Sequence, residues 1–103
     1  MPTLLPLFAA LVQGPSMAPT LRHGDAVMVR QGGRPIRPGD VVVARFLSRP
    51  DLLVVKRAVR REPDGWWVMG DNEFVTDDSR AYGVAEIVGR VVLRYWPNPG
   101  LIK

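Results

Sequence analysis

Apolar positions along the chain come in short runs or alternate with polar ones, and Gly, Pro and Asp punctuate them. Segments 26–30, 40–47, 51–61, 66–69 and 87–96 carry the β-branched and aromatic residues that suit a pleated, half-buried surface, and each is predicted to be a strand. Residues 4–12, apolar apart from Pro6, predict a lead-in strand facing the core. Glu62-Pro63-Asp64-Gly65 predicts a tight turn, because Pro presets one dihedral and Asp-Gly accepts left-handed ones. It joins the 51–61 and 66–69 strands as a hairpin. Residues 34–40 read as a loop launching a strand, and no segment has a helical period. The expected fold is all-β and barrel-like.

The 51–61 strand is unusual. With a period of two, Leu52, Val54, Lys56 and Ala58 share one face while Leu53, Val55, Arg57 and Val59 share the other, so both faces are largely apolar. A lysine set among valines is expected to be desolvated, which disfavours its ammonium form and lowers its pKa toward the range of a general base. The competing reading is a stem that covers the barrel while the head reaches water.

A second segment supplies a nucleophile. In Gly14-Pro15-Ser16-Met17-Ala18-Pro19-Thr20-Leu21, Pro15 lacks an N–H and Pro19 restricts Ala18 to extended backbone, so Ser16 sits on a stiff bend. Gly14 leaves room for another chain to approach, and the Ser16 N–H is a candidate oxyanion donor. A serine and a neutral lysine can act as nucleophile and base without histidine. The spacing is not Ser-x-x-Lys, since Pro19 occupies the fourth position.

Composition narrows the alternatives. A chain of 103 residues with 47% hydrophobic content fits one domain, and the absence of cysteine removes disulfide, thiolate-metal and cysteine-nucleophile chemistry. The single histidine, His23, excludes paired-histidine metal motifs and reads as a turn residue beside Gly24-Asp25. No metal and no cofactor is expected. The net charge of +4 and pI near 10.3 come from basic residues scattered over strands and turns, so nucleic acid is not an expected partner. Residues 4–12 are about half the ~20 residues a transmembrane helix needs. Membrane contact is therefore not expected, and an interfacial contact through that segment is the alternative.

The polar stretch Gly70-Asp71-Asn72 through Thr76-Asp77-Asp78-Ser79-Arg80 reads as a turn-rich loop. Asp78 and Arg80 are placed to tie it together, and a hydroxyl such as Thr76 is placed to orient a neutral lysine.

Ser16-Met17-x-Pro19-Thr20-Leu21, Gly24-Asp25, Pro38-Gly39-Asp40-Val41-Val42, Val55-Lys56-Arg57 and Gly70-Asp71-Asn72 through Asp78-Ser79-Arg80 resemble, in order, the conserved boxes of the type I signal peptidase family. The resemblance spans residues 14–97. It implies a coiled β-barrel shared with the self-cleaving repressors, Ser16 as nucleophile, Lys56 as general base, Thr76 contacting that lysine, and Asp78 with Arg80 as a supporting ion pair. Gly14, Pro15 and Met17 are the expected substrate contacts. The Gly-x-Pro-Gly-Asp that opens a large inserted domain in many members is replaced by Arg60-Arg61-Glu62-Pro63-Asp64-Gly65, so a minimal core without anchor or insertion is expected: one domain over 1–103, with 1–13 as lead-in strand or apolar arm and 14–97 as catalytic core. Arg22-His23-Gly24-Asp25, residues 37–43 and 51–58, and Gly65-Trp66-Trp67-Val68 most resemble the nickel-type superoxide dismutase maturation proteases. The expected activity is thus removal of an amino-terminal leader peptide from a precursor protein by a cytoplasmic serine endopeptidase. Its alternatives are a membrane-associated signal peptidase for secretory preproteins and, from another class, a non-catalytic basic β-barrel. Oligomeric state is left open. One strand of 40–47 or its neighbours is expected to offer an edge for the substrate.

Overall fold

The computed structural model describes residues 7–102. Strands β1 (Leu7–Leu11), β2 (Ala26–Arg30), β3 (Val41–Phe46), β4 (Arg49–Glu62), β5 (Gly65–Met69), β6 (Ala85–Trp96) and β7 (Gly100–Leu101) form one seven-stranded antiparallel sheet, joined by a single helical turn, α1 (Ser79–Tyr82). The fold is all-β, as the alternation predicts. Leu4, Leu5 and Pro6 of the expected lead-in strand lie outside the described residues; its remainder is β1.

The sheet order is β1-β2-β6-β3-β4-β5, and β5 returns to β6 through the pair Trp66↔Ala85. Strands β3 to β6 therefore close a ring, with β1 and β2 extending it on one side and β7 pairing β6. Gly65 permits the closure, since a Cβ there would lie 2.6 Å from the Ala85 carbonyl oxygen. This revises the reading of the hairpin turn. Glu62 pairs with Gly65 across it, and neither Asp64 nor Gly65 has a positive φ, so the glycine serves close approach rather than left-handed backbone.

Curling the sheet buries both faces of its middle strand. On β3, Val41 and Val43 join a cluster with Val12, Met17, Leu21, Val27, Val29 and Val91, while Val42, Ala44 and Phe46 join Ala58, Val68 and Ala85 in a second cluster. That double burial explains the apolar run from Val41 to Ala44 in β3. It also corrects the expectation of a docking edge there, because β3 is hydrogen-bonded to β4 on one side and β6 on the other. The open edges lie elsewhere: among the described residues the first half of its neighbour β4 pairs only β3, its β5 partners beginning at Arg57, and β1, at the far end of the sheet order, pairs only β2.

Candidate active site

Three chain segments converge at one end of the curled sheet. The first is the turn after β1. The Ala18 N–H donates to the Pro15 carbonyl and the Leu21 N–H to the Met17 carbonyl, which coils residues 15–21 tightly and drives Met17 and Leu21 into the core at 1% and 0% exposure. Met17, expected as a substrate contact, is instead buried in the cluster that holds Val12 and Leu21 and is not among the residues lining the groove that Ser16 and Lys56 share. Gly14 adopts φ +81° with open space where a Cβ would be, so its requirement is conformational. Its N–H donates to Nδ1 of His23 at 2.9 Å. Sequence reasoning left His23 as a bystander, whereas it braces the turn two residues before Ser16.

The second segment is β4. Lys56 is 3% exposed and Ala58 1%, while Arg57 on the opposite face reaches polar partners, so the alternation orients the strand as predicted. No hydrogen bond or ion pair joins the Lys56 amine to any described residue. Burial pushes its pKa below the ordinary lysine value; the charges of Asp78 and Asp77 pull it back up, and Arg80 adds to the depression.

The third segment runs from Gly70 to Tyr82 and holds the other two in place. The Asn72 N–H donates to the Ser16 carbonyl at 2.9 Å, and its side-chain amide donates to the Pro15 carbonyl at 3.0 Å. Gly70 lies so close beneath that a Cβ on it would stand 2.5 Å from the Ser16 carbonyl oxygen. Asp71 accepts two hydrogen bonds from the Arg57 guanidinium, at 2.9 and 2.6 Å, and one from the Thr20 hydroxyl. The Arg57 bonds, then the Thr20 bond and the Arg57 charge, hold its carboxyl below the usual range against the opposing effect of burial. Thr20, Arg57 and Asp71 therefore lock the nucleophile turn, the lysine strand and the loop to one another. Their sequence signal was membership of the matched boxes, but nothing in the pattern assigned them this bracing role.

Asp78 and Arg80 form the expected ion pair. The carboxylate, 0% exposed, accepts from Arg80 Nη2 at 2.7 Å and Nε at 3.0 Å, from the Arg80 N–H and from the Gly70 N–H. Burial works to raise its pKa, but these hydrogen bonds and the guanidinium charge together hold it low. Asp78 is also the N-cap of α1, which Gly83 closes at φ +81°. The loop thus contains a helical turn that its four residues are too few to announce by periodicity.

Thr76 is placed differently from expectation. Its side chain is exposed, no hydrogen bond links its hydroxyl to Lys56, and the residues of this loop that face the site are Val75 and Asp77. The buried hydroxyl nearby in the chain, Ser79, is engaged in accepting the Val68 N–H at 2.8 Å.

Ser16 and Lys56 line one groove of about 600 Å³. Its walls are β1 and residues 12–15, including Gly14 and Pro15, on one side and residues 52–55 of β4 on the other, with Val43, Val75 and Asp77 completing it. Apart from Gln13, Ser16, Lys56 and Asp77 the lining side chains are apolar. Among the described residues nothing accepts the Ser16 N–H. An apolar trough between two open strand edges, with a hydroxyl and a desolvated amine at its floor, suits an extended polypeptide.

Comparison with known proteins agrees with this geometry. The family description Peptidase S24-like matches residues 3–92. The chain belongs to that family. This peptidase is also 33% identical to mitochondrial inner membrane protease subunit 1 of Xenopus tropicalis and 30% identical to that of Homo sapiens. It is 31% identical to mitochondrial ATP-independent inner membrane protease subunit 1a of Arabidopsis thaliana. Each of the three comparisons covers 84% of this chain and 68% of the relative. A peptidase is supported on both counts, and the superoxide dismutase likeness is not: the relatives are named as inner membrane proteases. Among the described residues of this S24-like peptidase, no helix is long and apolar enough to cross a membrane.

Proposed function

We propose that the protein is a serine endopeptidase with a Ser16/Lys56 dyad that removes an amino-terminal leader from a membrane-associated precursor. The observation that carries the dyad is that Ser16 and a buried lysine without an acceptor among the described residues face the same peptide-sized groove. In this reading the leader lies extended between the β1 and β4 edges. Neutral Lys56 takes the Ser16 proton as Oγ attacks the scissile carbonyl carbon, and the Ser16 N–H, without an acceptor among the described residues, donates to the developing oxyanion. The Lys56 ammonium then protonates the leaving amine as the C–N bond breaks. A water deprotonated by the same amine hydrolyses the acyl ester, restoring the serine.

Asp78, Arg80 and the Thr20-Asp71-Arg57 lock are positioning residues, and Gly14 and Pro15 contact the substrate. A hydroxyl role for Thr76 would require its side chain to turn toward Lys56 when substrate closes the groove. The names of the relatives favour a membrane-inserted precursor over a nickel superoxide dismutase precursor. The deciding experiment incubates the purified protein with each type of precursor in parallel, the first in liposomes, and sequences the new amino termini. Clean cleavage of the membrane-inserted precursor is expected. Cleavage of the dismutase precursor alone would return the substrate to the soluble class, and cleavage of neither would refute leader removal.

A further inference from the structure

One row of cross-strand neighbours runs Leu7, Arg30, Arg90, Val42 and Lys56 across β1, β2, β6, β3 and β4, and of these Lys56 alone lines the groove. Arg30 and Arg90 are direct register partners, so their side chains leave the sheet side by side on the same face. Like charges in that relation destabilise a sheet. Neither guanidinium has a hydrogen bond or ion pair with any described residue, and the Nε atom of each is buried without an acceptor. The carboxylate that feels the charge of Arg90, Asp40, is committed to other partners. Asp40 has one oxygen on Arg34 Nη2 at 2.8 Å and the other on Arg34 Nη1 and the Arg37 N–H, each also at 2.8 Å. These Arg34 bonds chiefly lower its pKa, burial opposes them, and the charge of Arg90 makes only a small further contribution.

The backbone is shaped around the pair. Gly33, at φ +80°, leaves the space that Arg30 fills, since a Cβ there would lie 2.8 Å from Arg30 Nε. Gly89 lets β6 approach β2 beside it, since a Cβ there would lie 2.9 Å from the Arg30 carbonyl oxygen. Two half-buried arginines that are cross-strand partners, neither with a hydrogen bond or ion pair to a described residue, present adjacent guanidinium ends of the kind that recognise a tetrahedral oxyanion by paired hydrogen bonds.

We propose that Arg30 and Arg90 form a binding site for a phosphate group, separate from the peptidase groove, with the repulsion between them relieved by the bound anion. The group can be carried by a soluble phosphate compound or by an anionic phospholipid headgroup, and exposed Leu7 at the end of the row is compatible with either.

The test measures Tm of the full chain in inorganic phosphate against chloride at equal ionic strength, for wild type, Arg30→Gln, Arg90→Gln and, as a charge-matched control elsewhere, Arg61→Gln. A saturable rise of about 5 °C in wild type and Arg61→Gln, absent from the other two, is expected. Sedimentation with phosphatidylglycerol vesicles against phosphatidylcholine vesicles separates the sources. Pelleting that depends on Arg30 and Arg90 assigns the site to a headgroup, and a phosphate response without pelleting assigns it to a soluble ligand. Because the substitutions remove a repulsion, the ligand-free variants should melt at or above the wild-type temperature and cleave peptides normally. An equal phosphate effect in all four proteins, or no effect with lowered melting of both arginine variants, would overturn the site.

Discussion

Gly70→Ala is the sharpest single perturbation of the proposed nucleophile. A Cβ built on Gly70 stands 2.5 Å from the Ser16 carbonyl oxygen and 3.3 Å from its carbonyl carbon and Cβ, all atoms of the serine itself. Such contacts essentially never fall below 3.0 Å, so the two segments must part by at least half an ångström. The Asn72 N–H to Ser16 carbonyl bond, now 2.9 Å, would lengthen with them. Displacements approaching 1 Å at a reacting group cost on the order of 100-fold in rate. The expected result is a loss of kcat of about 30- to 100-fold with KM little changed, since the groove walls stay in place. Lost stability should be about 1–3 kcal/mol, the usual cost of a core overpacking. Steady-state cleavage of a leader peptide, with thermal melting alongside, gives both numbers. A folded Gly70→Ala protein of wild-type activity would refute the idea that this loop positions the nucleophile.

Activity should be higher at mildly alkaline pH than at pH 6, because the neutral amine of Lys56, favoured by burial, is the base; kcat/KM against pH reads this. Lys56→Met should abolish cleavage yet raise Tm at neutral pH: with its folded pKa depressed, the lysine binds fewer protons folded than unfolded below its ordinary value, which costs stability there. Asp78→Ala should cost about 3 kcal/mol in a denaturant melt, since it leaves Arg80 and two backbone N–H groups without their buried acceptor. The depressed pKa of Asp78 supplies stability above its unfolded value that is lost as pH falls through the folded one, so wild type should weaken in strong acid more steeply than Asp78→Asn. His23→Ala should lower kcat about 3-fold by freeing the Gly14 N–H, and His23→Asn, whose Oδ1 can replace Nδ1 as acceptor, should restore it; equal losses would remove His23 from the turn's support.

Strand patterning made the fold readable because a period of two is a direct image of which side chains a sheet buries. It put Lys56 and Arg57 on opposite faces, and of its two readings of Lys56 the buried one holds, at 3% exposure. Met17 escaped the same logic, since a coil of hydrogen bonds, and not a strand period, decides that it points into the core. The edge strands escaped it too. Whether a strand is central depends on which distant segment pairs beside it, and the apolar run of β3 is the signature of that centrality. In the 70–82 loop the ion pair of Asp78 and Arg80 was legible from spacing and resemblance, whereas the hold of Asn72 on Pro15 and Ser16 is a contact over more than fifty positions that no local pattern carries.

The central claim is that Ser16 and Lys56 act as one chemical unit. Its most direct test is kcat/KM of wild type, Ser16→Ala, Lys56→Ala and the double variant on one leader peptide, with folding checked by circular dichroism. The account predicts losses of about 10⁴-fold or more in each single variant and no further loss in the double, because residues acting as a unit are not additive. Multiplicative losses, or a folded Lys56→Ala protein that still cleaves at the same bond with near wild-type rate, would contradict it.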